Sequence, residues 1–327
     1  TQVYPELATA LVFVTVARLV RRGRATPVRS LALASLLTAL LPLLSTRAWL
    51  IAAPVALVIG LFGILAPVPP AERVRRAIAA GGPFVLAVAA IAVLNGVMFG
   101  VFLPSAGYYL IRDQQQVLAY TPHVGGLGLL FDRVFGLVGR APLYLLALLG
   151  VGALWLRRRA HGALLLVLAA GWITYFAYIA SIAYWWADGS PPSRYLLGSI
   201  PFLVVGVAGG LEALSRLARP ALAAGVVAGL GWASAFVAFV YAVLPNLRYD
   251  LAVDIRARNG SGQLWDHLGR VIRPEPGDAL PSLVALDQPS IALAAAWTLV
   301  AVALVAAGLR LGGDGPRQPA QTGKPIR

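Results

Sequence analysis

The chain contains no cysteine, which removes disulfides, thiolate nucleophiles and cysteine-ligated metal sites at once. Lysine occurs once, at Lys324, and nowhere does GxxxxGK precede Ser or Thr, so the chain is not a P-loop ATPase. Its three histidines, His123, His161 and His267, have neither i,i+4 nor HExxH spacing and offer no helical zinc motif. Charge is scarce as well. Only 12% of residues are Asp, Glu, Lys or Arg, about half the share of an ordinary soluble domain.

What is present is apolar. Hydrophobic residues make up 59% of the 327 positions, and the mean hydropathy is +0.78. Nine apolar stretches read as transmembrane helices: Glu6–Val20, Leu31–Leu44, Ala48–Ala66, Pro83–Leu103, Ala141–Leu156, Ala163–Ala183, Leu196–Leu211, Ala221–Leu244 and Ile291–Leu309. The short ones can be completed by snorkelling arginines at their ends.

The fold expected is an all-α polytopic membrane protein of about nine spans, with the N-terminus outside and the C-terminus inside. That orientation puts 17 of the 27 cations, but only Glu72, Glu212 and Asp314 among the acids, on the inner side. The whole formal charge of +14 then lies on one face, as the positive-inside rule requires. Short basic loops beside helix ends also account for the pI near 11 without nucleic acid. The localisation expected is the plasma (inner) membrane.

Residues 1–311 read as one transmembrane domain, and 312–327, rich in Gly, Pro and Gln, as a disordered cytoplasmic tail. Outer loops fall at 104–140, 184–195 and 245–290. The first holds a glycine-rich turn, Gly125–Gly128, and is expected to form short interfacial helices. Thr1 precedes the first apolar run by only a few residues, so the chain is expected to be a fragment preceded by earlier helices. Small-residue pairs at Gly96/Gly100, Gly206/Gly210 and Gly225/Gly229 suit close helix packing.

Ionisable residues are absent from most of the spans, which argues against an ion-coupled transporter. The exceptions cluster near helix ends. Glu6 opens the first helix after Pro5, either as a first-turn acid favoured by the helix dipole or as a carboxylate that binds a substrate hydroxyl. Asp132, Arg133 and Arg140 precede the fifth span, as a cap with interfacial anchors or as partners of a lipid phosphate. Trp185, Trp186, Asp188, Arg194 and Tyr195 crowd the third outer loop, as an aromatic belt or as a pocket whose tryptophans stack on a sugar while Arg194 meets phosphate. Arg248, Asp250, Asp254, Arg256 and Arg258 read as a solvated surface with local ion pairs.

Three segments together resemble a known family: Tyr4-Pro5-Glu6; Gly128-Leu-Leu-Phe-Asp-Arg-Val-Phe-Gly136 followed by Ala141-Pro-Leu-Tyr144; and Trp185-Trp186 with Ser190-Pro-Pro-Ser-Arg-Tyr195. They are similar to the later membrane half of bacterial GT-C glycosyltransferases, family 39-like, related to protein O-mannosyltransferases and aminoarabinose transferases. The resemblance implies a hexosyltransferase that takes its sugar from a polyprenyl-phosphate donor. The acceptor hydroxyl would belong to a lipid, a glycan or a protein at the extracytoplasmic face. It implies a substrate-site role for Glu6, with the main catalytic base in a first outer loop that no segment here matches. It implies donor or sugar contacts for Tyr4, Asp132, Arg133, Arg140, Trp185, Trp186, Asp188, Arg194 and Tyr195. No cofactor is expected, and a divalent metal is left open.

Two other readings compete. An O-antigen ligase or polymerase would rely on His123 or His267 with Arg112 or Arg256. A transporter for lipid-linked sugars would need a polar path past Asn95, Thr174 and Tyr175.

Overall fold

The computed structural model describes residues 5–103, 122–156, 158–182, 185–186, 193–217, 219–248, 250–257, 262–286 and 288–313. Tyr4, Asp188, Arg112, Arg258 and the tail from Asp314 onward lie outside the described residues.

Among the described residues the secondary structure is helical, with no β-strand. We number the helices α1 (Pro5–Leu19), α2 (Val28–Leu44), α3 (Trp49–Ile64), α4 (Pro70–Phe99), α5 (Pro122–Phe131), α6 (Leu137–Arg140), α7 (Leu145–Leu156), α8 (Arg158–Ser181), α9 (Ile200–Leu214), α10 (Pro220–Val243), α11 (Ala252–Ala257), α12 (Gln263–Gly269) and α13 (Gln288–Gly313). Every apolar stretch identified in the sequence is helical. Four segments, α4, Gly162–Ser181 of α8, α10 and α13, are long and apolar enough to cross a membrane. Their outward faces carry Leu86, Val97, Trp232 and Leu299, each largely exposed. In water such surface would be costly, and it marks an all-α membrane protein.

Three differences from the sequence reading have a clear cause or consequence. Helix α4 begins at Pro70 rather than Pro83, because proline at its first position and Glu72 in its first turn start a helix whose arginine-rich opening hydropathy does not count. The expected glycine-rich turn at Gly125–Gly128 lies within α5. A β-carbon at Gly125 would collide with the Ala180 carbonyl, so glycine here permits a close helix crossing and not a turn. The last helix continues through Gly313.

Helices α1–α4 pack together, with α8 against α3 and α1. Their core is built from Phe13, Val16, Leu31, Ile51, Ile59 and Leu168. Pro83 interrupts the hydrogen-bond ladder of α4, and the next amide, Phe84 N–H, donates to the buried Ser35 Oγ of α2 at 3.1 Å.

Helix α7 lies between α9 and α13. Gly150 faces the Gly206 carbonyl, and Gly210 faces that of Leu146. On the other side Gly152 faces Val305 and Gly308 faces Leu149. The expected Gly206/Gly210 packing is therefore present. Gly225 and Gly229 have nothing within 4 Å, and Gly100 serves instead as the left-handed cap of α4 at φ 72°.

Candidate functional site

One end of the bundle gathers the N-terminus of α1, the turn between α2 and α3, the segment after α5 and the 3-10 turn Arg194–Ser199 that leads into α9. Glu6 comes first. A carboxylate in the first turn of α1 is held in place by the helix dipole, yet the residue is only 8% exposed. Burial of a carboxylate demands a partner, and Arg194 supplies it, its Nε donating to Glu6 Oε1 at 3.2 Å. Glu6 Oε2 is buried without a hydrogen-bond partner among the described residues.

Beside this pair lies a residue the sequence reading passed over. Arg47, in the turn between α2 and α3, stacks its guanidinium 4.2 Å from the centre of the Tyr195 ring. One signal was available: an arginine on the face that the charge bias leaves poor in cations, two residues from Trp49. Ser193 adopts a left-handed backbone at φ 58°. Its hydroxyl donates to the Phe135 carbonyl at 2.9 Å, which ties this turn to the segment after α5.

That segment is organised by Asp132, which is fully buried. Its Oδ1 accepts the Val134 and Phe135 amides, both at 2.9 Å, and Oδ2 accepts the Leu283 amide at 2.7 Å. Burial raises the Asp132 carboxyl above its ordinary range, while the backbone donors pull it back down. The residue ties the segment after α5 to the one before α13, and both of its oxygens accept backbone amides.

Arg140 donates through Nε to the Val134 carbonyl at 2.7 Å and lies 4.9 Å over the Tyr241 ring. Burial lowers its guanidinium to about 10, against the upward pull of Asp250 and Asp132; it stays a cation at neutral pH. Asp250, expected on a solvated surface, is instead fully buried and accepts the Gln263 amide at 3.0 Å. It closes α12 onto this network, a role set by tertiary contacts that a mixed-charge run does not reveal. Arg133 pairs with the exposed Asp278 at 3.2 Å, and its carbonyl accepts the Trp265 indole N–H.

Trp185 is buried, its ring pressed on Gly128, and Trp186 stands edge-on to it at 5.4 Å. Trp186 is half-buried, the more open of the two. Below the segment an apolar cavity of about 610 Å3 runs along α7, α8 and α9, from Phe131 and Tyr144 past Trp172 and Phe202 to Trp155.

Elsewhere the chemistry is sparse. Among the described residues no three His, Asp or Glu side chains converge on a metal-sized site. His123 is exposed, and His267 turns its ring to the Gln263 carbonyl of its own helix at 2.8 Å. Thr174 and Asn95 bond to nearby carbonyls, and Tyr175 is buried. No family model, curated protein or solved structure matches this chain.

Proposed function

We propose that the chain is the nine-span body of a membrane glycosyltransferase, N-terminus outside, which takes a sugar from a polyprenyl-phosphate donor at the extracytoplasmic face. The observation that carries this reading is the pairing of the buried Glu6 with the half-buried Arg194, with Arg47 stacked beside it. In transfer, the acceptor oxygen forms the new glycosidic bond, the bond from sugar carbon to phosphate oxygen breaks, and polyprenyl phosphate departs. The acceptor proton passes to a carboxylate.

Arginines suit the leaving group, because guanidinium meets phosphate oxygens with paired donors and stabilises their growing charge in a poorly hydrated site. Arg194 takes that role, with Arg47 as a second cation. Glu6 fixes the Arg194 guanidinium, and its Oε2, buried without a partner among the described residues, is the acceptor left for a substrate hydroxyl that enters the site. The apolar cavity below offers the isoprenoid chain a place to lie. The histidine-based and transport readings have less support, since His267 is engaged locally and Thr174 and Asn95 are bonded to nearby carbonyls.

The test is binding of a photoreactive polyprenyl-phosphate hexose to the chain in nanodiscs. Arg194→Ala should weaken binding about 10–100-fold, the equivalent of a lost charge-assisted contact, and Arg47→Ala by a smaller factor. Equal affinity in both variants and the parent would overturn the assignment.

A further inference from the structure

At the opposite end of the bundle, α1, α2 and the turn between them line an open cavity of about 430 Å3, bordered by Thr15, Arg18, Arg21, Arg22, Pro27 and Ser30. The three arginines are exposed. Among the described residues no carboxylate pairs with them: Glu72 is engaged with Arg75 and Glu212 with Arg216.

A second source of positive potential opens on the same space. The first helical bond of α2 is Leu31 N–H to the Pro27 carbonyl at 3.0 Å, so the amides of Val28, Arg29 and Ser30 have no partner within the helix. Three guanidinium groups and a helix N-terminus thus line one cavity, with no carboxylate of the described residues between them. Such an arrangement concentrates positive potential and draws anions to it. The site is also held in shape, because the buried Arg76 donates to the carbonyls of Arg24 at 2.8 Å and Thr26 at 2.7 Å and fixes the turn between the two helices.

The flanking surfaces define the anion. Leu7, Leu11 and Val14 form an exposed stripe on α1 that ends at Arg18. Leu33, Leu36, Leu40 and Leu43 form its counterpart on α2, with Arg29 at the same end. Two apolar stripes that run into one basic pocket match the shape and charge of a lipid. We propose that this cavity binds the headgroup phosphate of an anionic phospholipid, whose acyl chains lie along α1 and α2. A small free anion would use the arginines alone, whereas a phospholipid uses the arginines and the adjoining apolar stripes together. The site rests on the membrane-embedded fold and not on sugar transfer, so lipid retention here and donor binding at Arg194 succeed or fail separately.

Native mass spectrometry of the detergent-purified full chain tests this with phosphatidylglycerol, with phosphatidylcholine and with glycerol 3-phosphate. The parent should retain phosphatidylglycerol at least tenfold over phosphatidylcholine. Arg18→Gln/Arg21→Gln/Arg22→Gln should abolish that preference, whereas Arg73→Gln/Arg75→Gln/Arg310→Gln, which removes as much charge elsewhere, should keep it. If the first triple variant does not fold, Ser30→Phe, which fills the cavity without a change of charge, should produce the same loss. Equal losses in both triple variants would reduce the effect to diffuse charge. Glycerol 3-phosphate displacing the lipid at equal concentration would make this a free-anion site, and either result overturns the proposal.

Discussion

Glu6 and Arg194 stand 188 residues apart in sequence and meet at 3.2 Å, joining the first turn of α1 to the turn that enters α9. The contact is what makes one site of this end of the bundle. Without it, Glu6 would be an ordinary first-turn acid and Arg194 an ordinary interfacial arginine. Next to Arg194 in the chain, Tyr195 carries Arg47 on its face.

Removal of one partner should expose how much the pair matters. A fully buried pair costs about 3–5 kcal/mol when broken, but Arg194 keeps 31% of its side-chain surface in contact with solvent, so Glu6→Gln should cost about 1–3 kcal/mol. Once Glu6 is absent, Arg194→Gln should add little. A double-mutant cycle on thermal unfolding in detergent should return a coupling of about 1–2 kcal/mol. Additive losses would mean that the two groups do not interact.

Asp132 makes a different prediction, because it binds only backbone. In Asp132→Asn the amide nitrogen must take one of the two positions that now accept N–H groups, setting donor against donor at Leu283 or at the Val134–Phe135 turn. The expected cost is about 1–3 kcal/mol, the range for a buried donor left unmet. Hydrogen exchange should accelerate at those three amides ahead of the rest of the chain. Unchanged protection there would show that the carboxylate bracket is dispensable.

The helices were legible in the sequence, the site only in part. Long apolar runs bounded by arginines and prolines declare themselves, since spacing along the chain is all they require. Glu6 and Arg194 were each visible as ionisable residues at helix starts, but their contact depends on how α1 and α9 pack. Arg47 stayed hidden because one arginine in a short turn has no pattern of its own. Asp250 misled because an alternation of charges describes solvated surface until a neighbouring segment covers it.

Small-residue spacing separates by context in the same way, and this can be measured. Gly206 and Gly210 abut backbone of α7, while Gly225 and Gly229 face open space. Gly206→Leu or Gly210→Leu should cost 1–3 kcal/mol or more, as for overpacked interiors, and should lower the yield of folded protein. Gly225→Leu and Gly229→Leu should be tolerated or mildly stabilising, since leucine favours a helix over glycine by about 1 kcal/mol at most. Equal sensitivity at the two sites would mean that α10 packs against a surface of its own.

The absence of cysteine makes the orientation directly testable, because a single introduced thiol has no background. In the proposed nine-span arrangement the chain crosses four times between Arg75 and Ser215, through α4, α7, α8 and α9, and once between Ser215 and Val271, through α10. Arg75 and Ser215 must then share one side of the membrane and Val271 must lie on the other. All three positions are exposed. With the N-terminus outside, an impermeant maleimide should label Val271→Cys in intact spheroplasts, and Arg75→Cys and Ser215→Cys only after permeabilisation. The inverse pattern would reverse the topology and carry the Glu6–Arg194 site to the cytoplasm. If Ser215 and Val271 label together, α10 does not cross, and the nine-span arrangement falls with it.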